Sequence, residues 1–425
     1  MKKKKPQILQ APKGSRDILP VEHEYWRRFL KAVASTAEDY GYQKIETPIL
    51  EEAALFEQGF DGTVLNRQTI KTAGGITLVL RPNVTFGIAR SYLEHGMASQ
   101  MPPFKFFYGG PVFQADTHQT GFIKQMYRFG VEAIGDGDPV VDAQIIQFCY
   151  NTLRNSGLKK LSVNLNSIGC HQCRNSYRRG LLDHYRHRKN NVCSDCRKKM
   201  KESPLELLFC REEKCQPVKA QAPVIVDYLC EDCHQHFKAV LEFLDDLDMP
   251  YFLNNSLMDA GGFRTKTAFE IIWEEEDSSG RQVLASGGRY DNLIKELGGK
   301  NTPMAGGVLN VEAIIGLMKR EQVKTTGGYA PKVFLAQLGD RGKKKSLKLF
   351  ESLHQAGITT AEALSRDSIK TQLHNAEKLG TPFALIMGQQ EALDGTVIIR
   401  DMQSGVQETL SQEKVVDEIK KRLRK

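Results

Sequence analysis

Eight of the nine cysteines fall between residues 170 and 233, in four pairs: Cys170/Cys173, Cys193/Cys196, Cys210/Cys215 and Cys230/Cys233. Cys149 stands alone. Four thiolates around one ion are the usual donor set of structural zinc, which leaves no coordination position open for chemistry. Taken consecutively, the first two pairs read C-x2-C-x19-C-x2-C, a zinc-ribbon spacing, and the second two read C-x4-C-x14-C-x2-C, which is looser. In a reducing compartment such pairs favour metal over disulfides. The pattern predicts one structural zinc or more, fastening an insertion; the alternative is a set of reduced thiols whose metal has been lost.

Other cofactor signatures are missing. There is neither a G-x-x-x-x-G-K-[ST] loop nor a G-x-G-x-x-G turn after a strand. The runs GGRYDNL and AGGVLN are glycine-rich, which by itself says little. A nucleotide, if bound, would sit on a sheet rather than on a phosphate loop. The net charge of +8 suits a polyanion such as nucleic acid, or simply solubility. No apolar run approaches the ~18 residues of a membrane span, and the basic start MKKKKPQILQ has no apolar core behind it, so no membrane partner or secretory signal is expected and the expected location is the cytoplasm. Lys2–Lys5 and the ending KKRLRK read as solvated tails.

The elements that must position these groups fit two or three domains in 425 residues. Residues 22–40 have helical apolar spacing and stop at Gly41. YQKIETPILEE is a strand candidate with Pro48 inside it, which argues for an edge, a bulge or an interface. ITLVLR reads as a strand and 86–96 as a helix. FKFFYGGPVF and MYRFGVEAIG read as antiparallel strands around the polar loop ADTHQTG, followed by a helix over 138–155. Residues 157–250 alternate strand and helix signals; PYFLNN, TKTAFEIIW and VLASGGRY are β-rich; 309–321 reads as a helix. VKTTGGYAP is a linker by composition. Beyond it, strand, helix, helix, strand, strand make a compact α/β domain.

In this order the segments resemble the class II aminoacyl-tRNA synthetases, and specifically the histidyl-tRNA synthetase family. APKGSRDILP resembles the family's N-terminus, GYQKIETPILEEAALF its dimer-interface strand, LRPNVT its R-P-E-G-T, and ASGGRYDNL its second histidine signature. NSIGC, DAQII and YLCEDCHQHF share its look, and the stretch from SIKTQLHNAEKLG to RDMQSG resembles its anticodon-binding domain. The resemblance covers essentially the whole chain. It implies an α/β chain: an α+β catalytic-type domain with an antiparallel sheet over 1–322, carrying the cysteine-rich insertion at about 165–240, a linker at 323–330, and an α/β anticodon-binding-like domain over 331–425. It also implies ATP, magnesium, a homodimer and tRNA, above all the histidine tRNA.

The resemblance carries an amino-acid pocket onto Arg81, Thr85, Gln125, Glu132, Arg289 and Tyr290. Glu132 reads equally as a structural carboxylate beside Arg81 or Arg289, Tyr290 as packing, and His118 as a solvated loop residue. The arginines expected for ATP are replaced. F-R-x-E is Phe113-Gln114-Ala115-Asp116; G-x-E-R is Asn310-Val311-Glu312-Ala313; R-G-L-D-Y-Y begins at Asp259. Asn83 stands for the glutamate of R-P-E-G-T. Arg128, Arg264 and Lys124 stand nearby and offer either a different anion site or plain drift. The expectation is a family member weak or inactive in ATP-dependent histidine activation, acting as a tRNA-binding or regulatory paralogue. The alternatives are an active histidine–tRNA ligase with an unusual site or, ranked lowest because of its C-terminal domain, the regulatory subunit of ATP phosphoribosyltransferase.

Overall fold

A computed structural model describes residues 9–57, 69–71, 75–115, 123–258, 263–275, 280–325, 330–364 and 368–424. The chain divides into two units, Met1–Thr325 and Thr326–Lys425.

The first unit opens with α1 (His23–Asp39), which buries Trp26, Phe29, Val33 and Ala37 along one stripe at helical spacing. The helix stops where Gly41 takes φ 70°, the left-handed conformation that glycine adopts without steric cost. The segment around Pro48 splits into β1 (Gln43–Lys44) and β2 (Leu50–Glu52), as expected when proline interrupts a ladder. β2 joins β3 (Thr69–Lys71) and β4 (Thr77–Leu80) in a small sheet of order β2-β4-β3. Next comes α2 (Thr85–Glu94). β5 (Phe104–Ala115) and β6 (Ile123–Ile134) pair antiparallel from Phe104↔Ile134 to Ala115↔Ile123; the polar loop expected between them falls on 116–122, outside the described residues. α3 (Pro139–Asn155) starts with Asp138 accepting the Val140 N–H at 2.9 Å and with proline in its first turn.

β7 (Leu161–Gly169) leads into the insertion. There α4 (His171–Arg186), α5 (Ser194–Lys199) and α6 (Gln216–Ala220) enclose a separate small core around Tyr177, Tyr185, Leu207 and Val218, while α7 (Glu231–Asp246) buries Phe237, Val240 and Leu244 in the main core with α3. The chain returns through β8 (Tyr251–Leu253), β9 (Thr265–Glu274), β10 (Arg281–Arg289), α8 (Leu293–Glu296), β11 (Met304–Asn310) and α9 (Val311–Arg320). The main sheet has the order β1-β5-β6-β11-β10-β9-β7-β8 and is antiparallel through its centre. One core packs α1, α3 and α9 against it; a second gathers Phe86, Tyr92, Phe106, Tyr108 and Tyr290 around α2 and α8. β11 escapes the sequence reading because Gly306 and Gly307 depress strand propensity, yet both are needed for close approach at the sheet centre.

The second unit is a sheet of order β13-β12-β14-β15-β16, formed by β12 (Val333–Gln337), β13 (Thr360–Glu362), β14 (Phe383–Met387), β15 (Thr396–Asp401) and β16 (Gln407–Ser411). Along β12, Val333 and Leu335 face one core while Phe334 and Ala336 face the other, so both sheet faces are covered. The covering helices are α10 (Gly339–Gln355), α11 (Ile369–Lys378), α12 (Gln389–Asp394) and α13 (Gln412–Leu423). The basic ending is not a solvated tail as far as it is described. α13 buries Val415 and Ile419, and Arg422 in its last turn pairs with Glu408 and Glu418. Among the described residues no helix is long and apolar enough to cross a membrane.

Candidate active site

Two adjoining cavities open on the main sheet, of about 300 and 460 Å³. Arg128 lines both.

The first cavity is built around Glu132, in mid-sheet on β6 and directly opposite Gly306 of β11. A Cβ at 306 would overlap both the Glu132 carboxylate and the Tyr290 hydroxyl, so glycine makes the room they share. Glu132 is buried, and neither Arg81 nor Arg289 bonds it. Its carboxylate accepts the Thr85 hydroxyl at 2.7 Å on one oxygen and the Tyr290 hydroxyl on the other. Burial lifts the Glu132 carboxyl to about 8 despite these two donors, so it holds a proton at neutral pH. Burial also raises the Tyr290 and Tyr108 hydroxyls well above their ordinary range, and both stay neutral.

Around this centre, Asn83 lines the cavity while its side-chain oxygen accepts the Phe86 N–H at 3.3 Å in the first turn of α2. Gln114 lines the rim from β5. Arg264 lies beside the Phe263 ring, and Phe263 packs near Phe86 and Tyr290. Tyr108 and Phe263 line the cavity and were missed in the sequence. The signal for Tyr108 was available: residues 106, 108, 112 and 114 share one strand face by alternation.

Two of the expected pocket arginines do not line this cavity. Arg81 is buried with its guanidinium turned toward the backbone, donating to the carbonyls of Pro111 and Thr47 at 2.9 Å each, and so ties β5 to the Pro48 segment. Arg289 is fully buried on the α3 side of β10. It donates to Asp142, to Asp291 at 3.1 Å and to the Asp136 carbonyl at 2.7 Å. Burial pushes against the Asp142 charge, but His236 and Arg289 outweigh it and hold the carboxyl below its ordinary value.

The second cavity is lined by Arg16, Lys124, Gln125, Asn310, Glu312 and Ala313 among others. The Gln125 backbone N–H donates to the Gly14 carbonyl at 3.0 Å, tying the N-terminal segment to the hairpin. Ala313 sits in the first turn of α9. Beside it, one oxygen of Glu312 accepts the Tyr127 N–H at 2.6 Å and the other pairs with Arg128 at 3.2 Å. Arg128 also donates to the Asn310 side chain at 3.0 Å. The three cations named from the sequence are thus distributed: Arg264 in the first cavity, Lys124 in the second, and Arg128 between them, engaged with Glu312. Asp116, His118 and Asp259 lie outside the described residues.

The insertion gathers its cysteines differently from their order in the chain. The first pair joins the fourth, Cys170, Cys173, Cys230 and Cys233, and the second joins the third, Cys193, Cys196, Cys210 and Cys215; within each group the sulfurs lie within 4.8 Å of one another. The consecutive reading fails because α4 and α7 start side by side at the end of β7 and enclose the inner pairs.

Comparison with known proteins agrees with this architecture. The family model for histidyl-tRNA synthetase matches residues 14–314, and that for the anticodon-binding domain matches 332–422. The histidine–tRNA ligase of Dehalococcoides mccartyi is 37% identical over 98% of this chain and its own full length. That of Acetivibrio thermocellus is 32% identical over 97% of this chain and its own full length. The apo crystal structure of S. aureus histidyl-tRNA synthetase superposes with a TM-score of 0.81 at 29% identity, over 97% of this chain and all of that one. A Bacillus halodurans protein described as an ATP phosphoribosyltransferase regulatory subunit/histidyl-tRNA synthetase shares the fold, with a TM-score of 0.64 at 18% identity over 91% of this chain. The chain belongs to the histidyl-tRNA synthetase family, with the class II fold and a C-terminal anticodon-binding domain.

Proposed function

We propose that this chain is a tRNA-binding or regulatory member of the family in which ATP-dependent activation of histidine is weak or absent. The observation that carries this reading is the state of the cations at the two cavities. The family's arginine positions on β5 and α9 hold Gln114 and Ala313, and Arg128 is engaged by Glu312. Activation joins a carboxylate to the α-phosphate of ATP, so two anions meet while negative charge builds on phosphate oxygens. Fixed guanidinium groups are what such a step needs. Losing one preorganised charge contact costs about 10²–10³ in rate. Three such losses do not add simply, but remove at least ~10⁴-fold. Asp259 at the third position adds a negative charge to the same task, and Asn83 takes away the carboxylate that would face the ammonium of histidine.

The pocket centre is a different matter. Glu132, Thr85 and Tyr290 remain a polar trio suited to a small ligand. The anticodon-binding domain and the net charge of +8 support tRNA, with the histidine tRNA as first candidate, and the strand around Pro48 supports a homodimer. ATP and magnesium belong to the family's reaction and have the weakest support in this member. Zinc has a structural place in the insertion.

ATP–pyrophosphate exchange driven by histidine tests the reading, with the D. mccartyi ligase as reference. Exchange at least ~10⁴-fold below the reference is expected; exchange within tenfold of it overturns the proposal. The second reading, an active ligase with an unusual site, is favoured by the 37% identity spanning the whole chain. Aminoacylation of histidine tRNA decides between them.

A further inference from the structure

Between its two long helices, α4 and α7, the insertion is built from short pieces. α5 has 6 residues and α6 has 5. Segments this short do not hold helical structure alone, since a helix below roughly 12–15 residues is marginal in water. Tertiary contacts must fasten them, and the small core and the cysteines are what they have.

The two cysteine groups have the dimensions of single-ion sites. Tetrahedral thiolates at a Zn–S length of ~2.3 Å stand about 3.8 Å apart. The Sγ separations are 3.5 Å for Cys170–Cys173, 3.9 Å for Cys170–Cys230, 4.0 Å for Cys193–Cys210 and 3.9 Å for Cys196–Cys215. A disulfide needs about 2.05 Å, and all eight cysteines are free. Each group also has backbone N–H donors aimed at sulfur. The Cys230 N–H points to Cys173 Sγ at 3.1 Å, and the Cys193 N–H to Cys215 Sγ at 3.1 Å. Such donors stabilise thiolate over thiol and orient the ligands. Gly169, with φ 61°, precedes the first ligand, and a Cβ there would collide with the Cys173 side chain.

We propose that the insertion binds two structural zinc ions in nested sites. The outer ion, on Cys170, Cys173, Cys230 and Cys233, clamps the starts of α4 and α7 to the end of β7. The inner ion, on Cys193, Cys196, Cys210 and Cys215, closes the loop between them. This rests on the structural-zinc reading and adds stoichiometry, pairing and a division of labour. It does not depend on whether histidine is activated.

The outer ion reaches further than its own loop. Cys233 lies in the first turn of α7, and His236 follows one turn later on the same helix face. His236 is buried with Nε2 3.5 Å from Asp142, the carboxylate that holds Arg289. Fixing the start of α7 therefore fixes His236, and through it the anchor of β10. His236 is a positioning residue in this scheme.

Elemental analysis of the full chain, purified with reductant, is expected to give two zinc per chain. Less than one, or iron in place of zinc, overturns the assignment altogether. Pairing is read separately from paired substitutions. Cys173→Ser with Cys233→Ser removes two outer ligands and leaves one zinc, whereas Cys173→Ser with Cys193→Ser damages both sites and leaves none. The reverse result would mean consecutive pairing and overturn the nesting while keeping the zinc. Should these variants fail to fold, stepwise chelation of the unmodified chain with alkylation and peptide mass mapping gives the same answer. Cys170, Cys173, Cys230 and Cys233 should become labelled together, as one set, apart from the inner four. Amide hydrogen exchange separates the two roles: emptying the outer site speeds exchange in α3 and α7, and emptying the inner site speeds it only within 187–220. Equal effects from both sites would sink the division of labour.

Discussion

The two cavities that meet at Arg128 differ in what their polar groups are free to do. In the first, Glu132, Thr85 and Tyr290 satisfy one another at the floor of an opening a ligand can reach. In the second, Arg128 is held by Glu312 and Asn310, Ala313 offers only a methyl group, and Arg16 and Lys124 are the other cations of the wall. The first side is a buried network of neutral hydroxyls around one carboxyl; the second is lined by charges, of which Arg128 is already paired with Glu312. Under the proposed reading, a fold can hold the recognition half of a reaction while losing the half that stabilises charge, because the two are built from different residues on the same sheet.

Restoring the missing charge is the strongest way to break this contrast. Gln114→Arg combined with Ala313→Arg is expected to raise histidine-dependent ATP–pyrophosphate exchange by about 10²–10³ or more. An unchanged rate would mean that the replaced arginines are not what limits the step. Next in size is the scaffold behind the first cavity. Arg289→Ala leaves Asp142 buried without its cation and should cost ~3–5 kcal/mol of stability, visible as a lowered denaturation midpoint in urea.

The protonated centre gives a pH test. The Glu132 carboxyl is raised from its ordinary value of 4.5 to about 8 in the folded chain. Between those values the unfolded chain gives up this proton while the folded chain keeps it, so stability falls as pH rises from 4.5 to 8 and levels off above. The span corresponds to several kcal/mol, on the order of 1.4 per unit of pH. Glu132→Gln cannot titrate and should flatten that slope, measured by urea denaturation across the range. An identical slope in the variant would place the carboxyl in its ionised form. The smallest effect concerns Arg128. Glu312→Gln keeps an acceptor for the Tyr127 N–H but releases the guanidinium from its ion pair, and should tighten ATP by roughly fivefold, about 1 kcal/mol for a partly buried pair. Calorimetric titration reads it, and no change would mean that Arg128 does not face the nucleotide.

Much of this fold was legible in order and pattern. The hairpin of β5 and β6 announced itself by alternation on either side of a polar loop. α1 announced itself by its stripe and Gly41. What stayed hidden were elements whose composition disguises them. β11 carries two adjacent glycines at the sheet centre, and the last helix looks like a basic tail because its few buried residues precede the lysines. In the site, residue types pointed to the right neighbourhood but not to orientation. Arg81 and Arg289 sit beside pocket residues in sequence, yet backbone carbonyls hold the first and the buried Asp142 carboxylate the second, both away from the opening. The cysteines show the same limit: spacing identified the ligands, while the proximity of α4 and α7 decided their grouping.

Gly306 sets a boundary on how this site can change. Any side chain there displaces Glu132 and Tyr290 together, so the floor of the first cavity cannot be altered by one substitution at that strand without disturbing the sheet. Gln114, exposed on the rim of the same cavity, is under no such constraint and can be exchanged with little effect on packing. Under the proposed reading, change at this site enters at the rim, and the small polar chamber at the centre is the last part to go.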